Sequence, residues 1–313
     1  MSGETLAYDA AASECIDRAL ERLSAEIRDR TPNMAPAVSN WMASLSHSRT
    51  PADYFKDIRG FPMLRLPRWL AESTDANEDV DFQDGLAYST VSGYYFVRLI
   101  DNLMDNQATN EKAILSISAL FHTEFQRIYQ EYFAATHPFW EIYRREWARG
   151  FDSAAAEASA TDIDEDRFYQ LSATKTCAGK IPLAATAFHF SAEDRLPEWN
   201  NFCDALSAWI QMRDDMSDWY RDHRCGAKTF FLSRSNANRL PDETLLAWLG
   251  REGASWGTEQ LQGMHQKVRK AGAPLNSQSL DRYVDELESW MVTWTSNFGR
   301  AIAELAKVAK ALA

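Results

Sequence analysis

Cysteine is scarce and scattered in this chain. The four that occur in 313 residues (Cys15, Cys177, Cys203 and Cys225) never form a CxxC pair. That disfavours a disulfide framework and a thiolate zinc site, and favours free or buried thiols. No apolar run approaches the ~20 residues of a membrane-spanning helix, and the first residues lack the charged, apolar and small-residue regions of a signal peptide. Basic charge is in deficit: 33 Lys and Arg stand against 45 Asp and Glu, a net charge of −12. Nucleic acid and a basic membrane-surface patch are therefore disfavoured as partners. The expectation is a soluble, cytoplasmic protein with no nucleic-acid partner and no membrane span. GxxxxGK[ST], GxGxxG and GxSxG are all missing, so P-loop, dinucleotide-binding and α/β-hydrolase chemistry lack support. The six histidines (His47, His122, His137, His189, His223, His265) show no metal-ligand spacing, and no ExxH suggests a di-iron bundle.

Strand pairs, repeats and low-complexity tracts are missing too, and what remains is helical periodicity. Over 9–31, apolar residues recur at helical spacing (Ala11, Cys15, Ile16, Ala19, Leu20, Leu23, Ile27), until TPNMAP at 31–36 breaks the helix. A short helix is expected over 37–47. Pro51, Pro62 and Pro67 make 48–76 irregular chain with short turns. Its Arg65 and Arg68 read either as ordinary surface arginines or as an anion-binding lip. A long helix follows over 79–108, in which Gly85 and Gly93 each cost about 1 kcal/mol against Ala and permit close packing or a bend. Helices over 111–136 and 138–159, a loop at 160–166, and a helix over 166–191 kinked at Pro182 come next. A helix over 196–223 opens near Pro197 and stops at Gly226. Segments 241–252, 256–271 and 277–311 complete an all-α chain, read as a single domain over 1–313.

One stretch stands apart: QMRDDMSDWYRDHRCGAKT at 211–229. Asp214, Asp218 and Asp222 recur every four residues, so in a helix each drifts only about 40° from the last. Three carboxylates thus stack on one face with neighbouring Cβ atoms about 6 Å apart. They repel one another, while Met216, Trp219 and Tyr220 occupy the other faces. Oxygen ligands without His or Cys suit Mg²⁺ or Mn²⁺, ions that also bind substrate phosphates. An exposed acidic face is the plainer reading. A second stretch, YYFVRLIDNLMDN at 94–106, carries Asp101 and Asp105 at the same spacing. Two such helices face to face would cage several divalent ions and hold a diphosphate. Arg98 lies one turn before Asp101, Lys175 sits in LSATKTCAGK, Lys228 in GAKT and Arg300 near the end of the last helix. Each alone reads as a surface charge; as a set they would clamp phosphate oxygens.

At these residues the sequence resembles the class I isoprenoid synthase superfamily: polyprenyl diphosphate synthases, squalene/phytoene synthases and class I terpene synthases. DNLMD at 101–105 looks like the first motif DDxxD, with Asn102 in second place. QMRDDMSD at 211–218 looks like the FQxxDDxxD of prenyl synthases. The same stretch fits the terpene-synthase triad [ND]DxxSxxxE through Asp214, Asp218 and Asp222, and Asp218 with Asp222 fits the second DxxxD of phytoene synthases. GAKT and KTCAG are similar to prenyl-synthase GKxT and KTxxL. YVDELESW at 283–290, with Trp294 and Arg300, is similar to the C-terminal helix of bacterial terpene synthases. The sequence departs from the pattern where chain-elongating synthases have GGKxxRP and the arginines after their first motif, and where terpene synthases close with RY, since Ala301 follows Arg300.

The resemblance implies an all-α, class I isoprenoid synthase-like bundle around a central cavity. It implies three Mg²⁺ ions, with Mn²⁺ as a substitute, held by Asp101, Asp105, Asp214, Asp218 and Asp222. It further implies ionisation of an allylic prenyl diphosphate substrate of C10–C20, with the cation cyclised or rearranged and diphosphate released. Arg98, Lys175, Lys228 and Arg300 would hold the diphosphate. Tyr94 and Trp209 would line the pocket by cation–π contact, or pack in the core. A prenyl-coupling enzyme of the polyprenyl or squalene/phytoene kind is the alternative, and a homodimer is one arrangement common in the families resembled.

Overall fold

The computed structural model describes residues 7–46, 50–74, 79–104, 111–158 and 160–312, and the described residues form helices joined by turns and short connections, without strands. In order, the α-helices are α1 (Ala7–Arg30), α2 (Ala35–Leu45), α3 (Pro51–Lys56), α4 (Leu66–Glu72), α5 (Val80–Met104), α6 (Glu111–Ile114), α7 (Ser118–Tyr132) and α8 (Phe139–Ala158). They continue with α9 (Glu165–Lys175), α10 (Cys177–His189), α11 (Leu196–Ser217), α12 (Trp219–Cys225), α13 (Phe230–Asn238), α14 (Leu245–Trp248), α15 (Ala254–Gly272) and α16 (Gln278–Leu312). No described helix is long and apolar enough to cross a membrane. All four cysteines are free thiols, and Cys225 alone of them is exposed.

Two compact units divide the chain, one of Met1–Arg145 with Ala178–Leu196 and the other of Glu146–Cys177 with Pro197–Ala313. In the first unit α5 packs against both α1 and α7. Its pattern explains why: Phe82, Leu86, Tyr88, Val91, Tyr95 and Leu99 are all buried, and so are the small residues Gly85, Ser89, Ser92 and Gly93. Gly93 permits close packing. A Cβ there would lie 2.6 Å from Cδ2 of Phe125 on α7. On α1 the buried stripe is Ala12, Cys15, Ile16, Ala19, Leu20, Leu23 and Ile27, while Ala11 faces solvent. The stretch expected as irregular, 48–76, holds the short α3 and α4. Each has a proline at its first or second position, where the missing N–H costs no intrahelical bond.

In the second unit α15 packs along α16. Three boundaries differ from expectation. The helix over 166–191 is broken not at Pro182, which lies inside α10, but at Thr176. Thr176 leaves helical dihedrals (φ −100°, ψ 11°), and its hydroxyl shares a 2.7 Å hydrogen bond with that of Ser207 on α11. The helix over 196–223 ends at Ser217, and α12 resumes after Asp218. Segments 241–252 and 256–271 are joined, because a π-turn over Leu249–Gly253 links α14 to α15. Glu252 accepts the indole N–H of Trp248 at 2.8 Å there, and a Cβ on Gly253 would collide with the Trp248 ring.

Candidate functional site

The site is built on the end of α11. Across the bend at Asp218 the backbone ladder survives: Asp218 N–H donates to the Asp214 carbonyl and Asp222 N–H to the Asp218 carbonyl, both at 2.9 Å. The three carboxylates therefore keep the four-residue register that the sequence implied. Gly226 ends α12 in the left-handed region (φ 75°), and Ala227 N–H returns to the Asp222 carbonyl at 2.9 Å. A side chain would be strained at that φ, so glycine serves as the stop. Thr229 then opens α13 by accepting the Leu232 N–H at 3.2 Å.

Each of the three carboxylates is paired with an arginine of its own stretch. Arg213 holds Asp214 at 2.5 and 3.0 Å. Arg221 holds Asp218 at 2.6 Å and approaches Asp222 at 3.4 Å. Partial burial raises the Asp222 carboxyl above its usual range; Arg221 opposes the rise and the neighbouring Asp218 charge adds to it. Among the described residues no three His, Cys, Asp or Glu side chains already converge on a metal position. The donor set nevertheless fits a hard divalent cation: it is oxygen-only, lies in one register, and is held by nearby guanidinium groups that a cation would replace.

Beside this face lies a partly open pocket, lined among others by Lys175, Gln211, Asp215, Lys228, Thr229 and Phe230. Its enclosed volume is about 20 Å³, room for about one water molecule, so a charged group bound here would sit in its open mouth against the lining side chains. Lys175 and Lys228, expected as diphosphate donors, are thus brought together. Asp215 also lines this cavity, and its role is not apparent from the motif. One residue on from Asp214, it points about 100° away and is buried. Burial raises its carboxyl to about 7, against the opposing effects of Gln211, Lys175 and the Phe231 backbone N–H. Gln211 Nε2 donates to Asp215 Oδ1 at 2.6 Å and Phe230 N–H to Oδ2 at 3.1 Å, while Lys175 Nζ donates to Gln211 Oε1 at 3.0 Å. The DD pair itself was the available signal. Adjacent residues in a helix cannot share a face, so one carboxylate had to point elsewhere.

The remaining candidates sit as follows. Arg300 is exposed on α16. Trp209 is fully buried, 6.2 Å from the rings of both Trp290 and His265, and the Arg213 guanidinium lies 5.9 Å over both Trp209 and Trp290. Trp290, Trp294 and Phe298 stack in sequence along α16 at 5.7 and 5.2 Å. In the first unit, Arg98 Nη1 meets Asp101 Oδ2 at 3.1 Å. Tyr94 is half-buried in an aromatic cluster with Tyr54, Phe55 and Tyr95 at 4.8, 5.0 and 5.3 Å. Asp105 lies outside the described residues.

No protein-family model and no curated protein matches the chain. Solved structures do match. A geranylgeranyl pyrophosphate synthetase from the archaeon Geoglobus acetivorans is 16% identical with a TM-score of 0.58, covering 85% of this chain and 98% of that one. A polyprenyl synthase from Roseobacter denitrificans is 14% identical with a TM-score of 0.59, covering 88% and 99%. At these identities the likeness is one of fold, and the fold is the all-α fold of the isoprenoid synthases.

Proposed function

We propose that the protein is a class I terpene synthase that ionises an allylic prenyl diphosphate of C10–C20 and cyclises or rearranges the resulting carbocation. The observation that carries this reading is the pairing of two features at one helix end: a register of oxygen ligands (Asp214, Asp218, Asp222) beside a partly open pocket lined by two lysines. Asp214, Asp218 and Asp222, with Asp101 and Asp105 from the first motif, are the residues that would hold the divalent cations. Mg²⁺, with Mn²⁺ as a substitute, would neutralise the departing diphosphate when bound. Lys175 and Lys228 would donate to diphosphate oxygens and favour the state in which charge has moved onto them. Arg98 and Arg300 are the further cationic donors proposed for the head group. Tyr94 is proposed for the hydrocarbon side, where an aromatic face favours a cation by about 2 kcal/mol once desolvated. Trp209 would act there through the Trp290 ring it supports.

Prenyl coupling is the second reading, favoured by the synthases of matching fold, whose names are those of chain-building enzymes. A coupling enzyme needs two substrates and a cyclase one. The deciding experiment supplies geranyl, farnesyl or geranylgeranyl diphosphate with Mg²⁺, alone and with isopentenyl diphosphate, and identifies the products by chromatography. A hydrocarbon or terpene alcohol from one diphosphate alone, lost in Asp218→Asn, is the expected result. A longer diphosphate formed only with isopentenyl diphosphate, or a doubled chain, would replace the cyclase with the coupling enzyme. Absence of any diphosphate release would remove both.

A further inference from the structure

Asp215 is a buried carboxylate that the cation-binding register does not use, and its hydrogen bonds leave no choice of direction. Gln211 turns its NH₂ toward Asp215 Oδ1, 2.6 Å away, an orientation fixed from the other end of the amide. An ammonium only donates, so the carbonyl end of the same amide must face Lys175 Nζ, 3.0 Å away. The other oxygen of Asp215 takes the Phe230 N–H at 3.1 Å. That N–H belongs to the first turn of α13, where a carboxylate is favoured by the helix dipole and by an otherwise unpaired donor. The result is a one-way chain from the start of α13 through Asp215 and Gln211 to Lys175. All four of its members line the lysine pocket.

We infer that Asp215 is a positioning residue: it holds the orientation of the Gln211 amide and thereby aims Lys175 at the diphosphate head group at the mouth of this pocket. The inference rests on the proposed reading of the cavity as a diphosphate site. It assigns Asp215 no contact with cation or substrate. Because the chain works by hydrogen-bond direction, it can be broken and restored by exchanging chemistry between its members. In Asp215→Asn, keeping the Phe230 bond presents an NH₂ to the NH₂ of Gln211. If Gln211 flips to relieve this, its NH₂ faces the Lys175 ammonium. One donor–donor clash persists either way. In Asp215→Asn combined with Gln211→Glu, the new amide accepts from Phe230 and donates to the new carboxylate, whose second oxygen accepts from Lys175, and the direction is restored with the same net charge.

The test measures binding of inorganic pyrophosphate in the presence of Mg²⁺ by calorimetry, on the full chain, with a thermal melt of each variant as a folding control. Asp215→Asn is expected to weaken pyrophosphate binding by about tenfold or more, the scale of one charge-assisted hydrogen bond. Lys175→Met should cost about as much, and the Lys175→Met/Asp215→Asn double variant little more than Lys175→Met alone, because the two act through one group. The Gln211→Glu/Asp215→Asn pair is expected to regain most of the loss. Should Asp215→Asn fail to fold, Gln211→Met cuts the chain while keeping Asp215 and its Phe230 bond, and must show the same non-additivity with Lys175→Met. Full additivity, or a swapped pair that binds no better than Asp215→Asn, overturns the positioning role while leaving the site intact. Wild-type protein that takes up no pyrophosphate overturns the reading of the cavity, and the inference falls with it.

Discussion

Lys175 shows how much of this site rests on single side chains. It is tied to Gln211, and with Lys228 it gives a cavity in an acidic protein its local positive charge. Replacing it by Met keeps the length and removes the donor. Diphosphate release should then slow by about 10²-fold, as when one preorganised donor is lost, in an assay following released pyrophosphate. Lys228 lines the same pocket and is exposed as Lys175 is, so Lys228→Met should slow release by a similar factor. Buried histidine supplies a second residue-scale prediction. His265 on α15 is buried, with Nε2 3.2 Å from the Val284 carbonyl of α16. Desolvation lowers its pKa, opposed by the Val284 bond and the charges of Glu288 and Asp285, with Arg269 adding to the lowering. A depressed histidine stays neutral in the folded chain after the unfolded chain has begun to take up a proton. Its contribution is therefore full above about pH 6.5 and declines as pH falls from there toward the folded value. In urea titrations at pH 7 and pH 5.5, the wild type should lose more stability than His265→Met does. Equal losses would show that His265 is not a source of the slope.

At the scale of the elements, close approach decides more than propensity. Gly93 is poor for a helix, yet α5 and α7 meet there with the Phe125 ring where a Cβ would sit. Gly93→Ala should cost about 1–3 kcal/mol by overpacking, seen as a lower urea midpoint with an unchanged m-value. Gly263, on the exposed face of α15, is the control: a Cβ added there would meet nothing within 4 Å. Gly263→Ala should stabilise by about 0.4–1 kcal/mol. The same contrast explains which elements were legible in the sequence. Periodicity located α1, α8 and α16 to within a few residues, because each buries one stripe, and it located the start of α5 as well, although that helix is buried on every side over 85–93. The break at Thr176 was not legible, since it depends on a hydroxyl partner on another helix, whereas Pro182, the more conspicuous signal, lies within α10. The join at 249–253 was hidden for a similar reason: a π-turn is closed by Trp248 and Glu252 packing, and Gly250 and Gly253 suggest a stop.

For the whole molecule, the legible part of the site was its register and the illegible part its wiring. Spacing alone placed Asp214, Asp218 and Asp222 on one face, and motif likeness brought in Lys175 and Lys228. Nothing in one sequence says that Arg213 and Arg221 occupy those carboxylates, or that Asp215 turns inward, because both follow from rotamers and burial. These arrangements predict how the protein as a whole responds to its ligands. With a net charge of −12, any divalent salt screens repulsion and shifts the melting temperature slightly. A specific site behaves differently. A ligand that binds only the folded chain stabilises it by RT ln(1 + [L]/Kd), about 2.7 kcal/mol at one hundred times Kd. Mg²⁺ alone must compete with Arg213 and Arg221 for the carboxylates, and pyrophosphate alone meets those carboxylates unshielded. Together each supplies what the other's partners lose. Thermal melts should therefore rise little with Mg²⁺ or pyrophosphate separately, at matched ionic strength, and by several degrees with both. The increment should vanish in Lys175→Met and in Asp218→Asn while each variant's own melt stays cooperative. If the two ligands raise the melting temperature only additively, the carboxylate register and the lysine cavity do not form one site.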